Sequence, residues 1–168
     1  MSVPTRFAGS VLVALTLVTT PMITPSAGAA ERVSGCVAGH LAITRGPRLA
    51  ATGHRYDQFR ITNTGGTTCR LYGYPTFRFR NGAGAAVGRP SQPYGVPAHV
   101  VRLAPGQRTR VTVATVDPAV TRPADCRAQD VASVDIALAY RPHVYRLPMT
   151  ARVCTTRRYR PSSYPVGF

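Results

Sequence analysis

The sequence predicts an all-β domain, an antiparallel sandwich of about seven strands with two disulfides. Three observations predict it. No stretch beyond residue 30 keeps a helical period for three turns. Short runs alternating apolar and polar residues recur there, separated by Gly, Pro and Asn. Four cysteines, Cys36, Cys69, Cys126 and Cys154, are spread over the same region.

Residues 1–30 follow a different pattern. Arg6 supplies a positive start, Val11 to Ile23 are mostly apolar, and Ala27-Gly28-Ala29 offers a small-residue cleavage site, so an export signal is expected with the mature chain beginning near Ala30. Pro21 and Pro25 interrupt the apolar run well short of the roughly 20 residues a spanning helix needs, and no membrane span is expected. Val33-Ser34-Gly35-Cys36 matches a lipid-acceptor pattern. However, Glu31-Arg32 and the residues before them separate it from the apolar stretch, and lipidation would leave an odd number of cysteines in an oxidising compartment, so a disulfide is the preferred role.

The remainder is enough for one core, expected over residues 31–154. The strand-like runs, in order, are His40 to Arg45, Tyr56 to Asn63, Thr76 to Arg80, Val100 to Leu103, Arg108 to Val116, Val131 to Tyr140 and Val144 to Val153. Asn63-Thr64-Gly65-Gly66, Asn81-Gly82-Ala83-Gly84 and Ala104-Pro105-Gly106-Gln107 are turns, and Asp117-Pro118 opens a short helical turn before Cys126. Strand parity puts Phe59, Ile61, Phe77, Phe79, Val111, Val113, Val134, Ile136, Leu138, Leu147 and Val153 inside. Arg60, Arg78, Arg80, Arg108, Arg110, Arg146 and Arg152 take the opposite parity. Pro148 makes its run an edge strand or marks a bulge. Residues 155–168 follow the last cysteine, lack an alternating apolar run and are expected to form a basic, flexible tail dispensable for folding. Tyr74 reads as a turn anchor, whereas Tyr72 and Tyr94 stay open between anchoring and binding roles.

Export makes disulfides stable. Of the three connectivities four cysteines allow, Cys36 with Cys69 and Cys126 with Cys154 is preferred, because each bond then ties a terminal region to the nearest turn that carries a cysteine.

All 21 basic residues are arginine, set against six carboxylates, for a net charge of +15. A GC-rich genome explains arginine in place of lysine but not the excess of cations. The excess predicts an anionic envelope polymer or an envelope protein as partner, drawn by electrostatics. Specific nucleic-acid recognition is not indicated. The histidines His40, His54, His99 and His143 are dispersed, no C-x-x-C or G-x-S-x-G occurs, and the few aspartates lie outside aromatic-rich segments. No enzyme, metal site or cofactor is therefore expected, and a hydrolase is a remote alternative.

Several of these elements together resemble a known family. A leading Cys36, a strand ending in Asn63-Thr64, then Thr68-Cys69, Leu71 and Gly73-Tyr74-Pro75, a later Leu103-Ala104-Pro105-Gly106 and paired late cysteines are similar to the actinobacterial secreted family called domain of unknown function 4232. The resemblance spans Cys36 to Cys154. It implies an immunoglobulin-like sandwich on an exported or lipid-anchored protein, with no activity, cofactor or catalytic residue to carry over. The expected function is a non-catalytic, envelope-associated binding module; a structural or protein-interaction module with incidental charge is the alternative. In the immunoglobulin-like arrangement the third, sixth and seventh runs share a sheet. Arg78 and Arg80 then flank one side of the sixth run and Arg146 and Arg152 the other, with Ala137 and Ala139 between, a basic trough and the candidate anion-binding site.

Overall fold

A computed structural model describes Met1, Ser2 and residues 33–168; the expected export signal lies, beyond its first two residues, outside the described residues. The strands are β1 (Leu41–Ala51), β2 (His54–Asn63), β3 (Cys69–Leu71), β4 (Thr76–Arg80), β5 (Ala86–Val87), β6 (Gln92–Pro93), β7 (Val101–Leu103), β8 (Arg108–Val116), β9 (Gln129–Ala137), β10 (Val144–Val153) and β11 (Ser162–Ser163). One sheet runs β1-β2-β8-β11-β6 and the other β10-β9-β4-β5, with β3 and β7 pairing separately. Each sheet turns its apolar parity to the other, and Phe59 of the first meets Phe77 of the second at 5.6 Å between ring centroids. Every residue predicted for the core is in the buried cluster, which Leu41, Leu71, Val87, Leu103, Met149 and Val166 extend.

The runs at Thr76, Arg108 and Val144 match strands end to end, and the additional strands are short pieces lacking room for a period. Among the short ones, β5 and β6 have two residues each, too few to show alternation; β5 holds its place by pairing with the longer β4 and β6 by pairing with β11. Two long edges are blunted against intermolecular pairing. The pairing of β1 shifts between Arg45 and Arg48, around Gly46-Pro47, and that of β10 shifts between Pro148 and Ala151, so neither offers a flat ladder to a second chain.

Asn63 explains why the distant pieces of the family pattern belong together. Its buried amide donates to the Thr67 carbonyl at 2.8 Å and to the Leu103 carbonyl at 2.9 Å, while its side-chain oxygen accepts from the Gly65 amide. Its backbone accepts from Gly106 and donates to Gln107. One side chain thus joins the Gly-rich turn to the Ala104–Gln107 turn, and among the described residues no buried side-chain nitrogen or oxygen lacks a hydrogen-bond partner. The Asp117 carboxylate caps the short 3-10 turn Pro118–Val120 by accepting from the Ala119 amide. Tyr74 is a turn anchor, its hydroxyl donating to the Val96 carbonyl at 2.6 Å.

The disulfides join Cys36 to Cys69 and Cys126 to Cys154. Cys36 is buried, its backbone pairs with Arg70 and its sulfur is taken up by the bond to Cys69.

The C-terminal segment corrects the sequence reading. Residues 155–168, expected to be flexible, run along the free edge of β8: Ser162 and Ser163 pair with Ala114 and Val113, Tyr164 donates to the Thr112 carbonyl and Gly167 to the Arg110 carbonyl. Val166, 1% exposed, plugs the core. Three prolines and glycines in seven residues hide the alternation, yet a long central strand with an open edge needs a partner for its backbone groups, and the tail supplies it. Arg160 fixes the approach by donating to the Pro90 and Ser91 carbonyls.

Candidate functional site

The four predicted anion-binding arginines do share one sheet face, since β9 lies between β4 and β10. The trough between them is not lined by alanines. Asp135 stands opposite Arg78 on one side and Arg146 on the other. It is 4% exposed and grips Arg146 at 2.6 Å and 3.1 Å and Arg80 at 2.8 Å. Arg152 meets Asp130 at 3.1 Å. Ala137 pairs with Thr76 and Val144 near the sheet end, and Ala139 lies beyond the strand against Gly73. Three of the four cations are therefore already paired with a carboxylate, two of them sharing Asp135, in a ladder of alternating charge that holds three strands together.

The hydrogen bond from Arg146, joined by that from Arg80 and opposed by burial, holds the Asp135 carboxyl below its ordinary range. The sign follows: a carboxylate with a depressed folded value contributes stability that is fully present above about pH 4 and is lost as pH falls through that depressed value. Thermal melts from pH 7 to pH 2 should show the wild-type advantage over Asp135→Asn constant above pH 4 and shrinking in acid. An advantage independent of pH would show that the pair contributes nothing by its charge.

The opposite face differs. On the five-stranded sheet Arg60 of β2 lies directly across from Arg110 of β8, and Arg108 follows on the same parity. With Gly46, Pro47, Gln58, Thr109 and Gly167 they line an open cleft of about 470 Å3. The described aspartates are all engaged elsewhere: Asp57 with Arg48, Asp117 with Arg55, Asp125 with Arg122, Asp130 with Arg152 and Asp135 with Arg80 and Arg146. None of these ion pairs includes Arg60, Arg108 or Arg110. Like charges directly across a strand pair are destabilising.

Further along the same face the tail builds an aromatic cluster. Phe168 lies parallel on Tyr164 at 4.8 Å, Tyr94 meets Tyr164 edge-on at 5.7 Å, and Tyr56 stands 6.3 Å from Tyr164. Burial, then the neighbouring phenols of Tyr56 and Tyr94, push the Tyr164 hydroxyl above its usual value. Gly95 has φ 92°, and a Cβ there would come within 3.0 Å of the Tyr164 ring, so a side chain is excluded. Tyr94, left open from sequence, belongs to this cluster. Tyr72 instead faces Tyr140, 6.4 Å away, beside Arg70, Arg141 and Val100.

Two things escaped the sequence reading. Asp135 was visible in it, on the outward parity between Val134 and Ile136, but its partners needed strand register. The aromatic cluster depended on the tail, for which no periodic signal existed. Among the described residues, histidine, cysteine and aspartate form no group of three or more able to hold a metal ion.

The profile of one family, described as Domain of unknown function (DUF4232), matches residues 36–162. No curated protein and no solved structure matches the chain. The matched span begins at the first disulfide cysteine and ends in β11, so it takes in both sheets and the start of the strand that seats the tail. On that match the chain belongs to the DUF4232 family of domains of unknown function.

Proposed function

We propose that the protein is an exported, non-catalytic, envelope-associated binding module that takes an anionic partner on the outward face of its five-stranded sheet. The observation that carries this reading is the set Arg60, Arg108 and Arg110, three cations on adjacent strands that share a cleft and lack a carboxylate among the described ion pairs. An anion laid between Arg60 and Arg110 relieves their repulsion and accepts paired guanidinium hydrogen bonds. Two disulfides are consistent with an oxidising compartment, and no helix among the described residues is long and apolar enough to cross a membrane.

Retention on an immobilised polyanion as a function of salt tests the reading. Replacing Arg60, Arg108 and Arg110 by Gln should weaken retention and reduce the slope of log affinity against log salt by roughly two to three, about one per lost contact. Replacing Arg78, Arg80, Arg146 and Arg152 removes more charge yet should matter less, because three of those guanidiniums are held by Asp135 and Asp130. Equal losses per charge removed would leave net charge as the whole explanation.

A protein partner is the second reading, and the Tyr72–Tyr140 end favours it. Tyr140 is 84% exposed and held at φ 59°, a left-handed conformation that costs a bulky residue roughly 1–2 kcal/mol. Exposed tyrosine and arginine are the side chains that anchor protein interfaces. Loss of a captured envelope protein on Tyr140→Ala, with polyanion retention unchanged, would establish it.

A further inference from the structure

The cationic cleft and the aromatic cluster occupy one continuous face. Tyr56 is four residues from Arg60 along β2, and Ala114, opposite Tyr56, is four from Arg110 along β8. At about 3.3 Å per residue the two patches are roughly 13 Å apart. The ground between them is covered by the tail: Gly167 lines the cleft, and Thr112 is capped by Phe168, whose carbonyl accepts from the threonine hydroxyl. A small anion reaches only one patch, whereas an extended chain covers both.

The cluster is suited to a particular kind of chain. Its rings are set edge-to-face and in one stacked pair, not as a ladder of separate parallel faces on which successive nucleobases stack. Phe168 is 45% exposed and Tyr94 is 59% exposed. With Tyr56 and Tyr164 packed beside them, these two rings present exposed apolar faces next to phenol hydroxyls, each phenol able to donate and to accept. A saturated sugar ring has matching chemistry, with C–H groups to lie on an exposed ring face and hydroxyls to meet the phenols.

We infer that the ligand of this face is an acidic glycan, an extended polysaccharide whose sugar rings lie on Tyr94 and Phe168, which Tyr164 holds in place, while its carboxylates or phosphates pair with Arg60, Arg108 and Arg110. The inference rests on the anion-binding reading above and gives its ligand a chemical class. It also assigns a role to the ordered tail, which brings the aromatic side chains to the sheet.

The test compares three polymers at matched charge and salt: polygalacturonate, which is an acidic glycan; polyacrylate, an anion without rings; and oligothymidylate. The full chain is used, and tyrosine fluorescence serves as one readout because tryptophan is absent. Polygalacturonate should bind at least tenfold more tightly than polyacrylate. Tyr94→Ala and Phe168→Ala should each weaken polygalacturonate binding about fivefold or more, and leave polyacrylate binding within twofold. The triple replacement of Arg60, Arg108 and Arg110 by Gln should weaken both. Because Tyr94 and Phe168 are substantially exposed, these variants should stay folded, and an unchanged melting temperature checks that they have. Equal binding of polygalacturonate and polyacrylate, both lost in the triple variant, overturns the glycan and keeps the anion site. Oligothymidylate as the tightest ligand, with dependence on Tyr94, overturns the glycan in favour of single-stranded nucleic acid. Binding of none of the three, or binding indifferent to the triple variant, overturns both readings.

Discussion

Replacing Cys126 and Cys154 together by Ala should lower the melting temperature by roughly 15 °C, and doing the same at Cys36 and Cys69 should cost about as much. The bonds close sequence separations of 28 and 33 residues, for which restriction of the unfolded chain is worth about 3.5–4 kcal/mol each. Losing both removes most of the 5–15 kcal/mol typical of a folded domain, so a chain stripped of disulfides should be largely unfolded at 37 °C. The two bonds do different structural work. Cys126–Cys154 closes the segment that contains the β9–β10 hairpin and its charge ladder, and Thr155 donates to the Cys126 carbonyl beside it. Cys36–Cys69 pins Ser34 to Cys36 against β3, where Arg70 exchanges backbone hydrogen bonds with Ser34 and Cys36. Melting the two double variants, with and without reductant, checks the prediction. A shift under about 2 °C for either would mean that the folded state loses strain as fast as the unfolded state gains freedom.

Legibility in the sequence followed the range of the interactions. Phe77 and Phe79, or Val111 and Val113, announce a strand because burial of one face forces a period of two, and that period is a local fact. The sheet that unites β4, β9 and β10 was also within reach, since a sandwich with these runs has few ways to arrange them. Register was not. Whether Arg78 faces an alanine or Asp135 depends on a slip of two residues, and nothing local to either strand distinguishes the two pairings. The arginine set that takes part in none of the described ion pairs, Arg60, Arg108 and Arg110, looks in sequence the same as the set that carries aspartates. The difference lies in where the few carboxylates fall across the strands, which is a property of the pairs.

Deleting residues 162–168 should lower the melting temperature by roughly 6 to 12 °C and, at temperatures where the remainder is folded, should lower glycan binding too. Both effects have the same origin. The burial of Val166 is worth about 1.5–3 kcal/mol, and a domain of this size shifts by about 4 °C per kcal/mol. The deletion also strips β8 of the partners that Ser162 to Gly167 supply and exposes the amide of Tyr94, just after β6, which donates to the Ser163 carbonyl. Single replacements separate the structural from the binding contribution. Val166→Ser should reproduce much of the thermal loss, because it puts a hydroxyl into the core and leaves the aromatic side chains in the chain. Phe168→Ala should do the reverse, since that ring lies outside the core and stacks only on Tyr164 among the described aromatic pairs. A deletion variant that melts within 2 °C of the full chain would restore the dispensable tail. In that case the seating of Val166 would contribute nothing to stability, and the aromatic side chains would have no rigid mounting on the sheet.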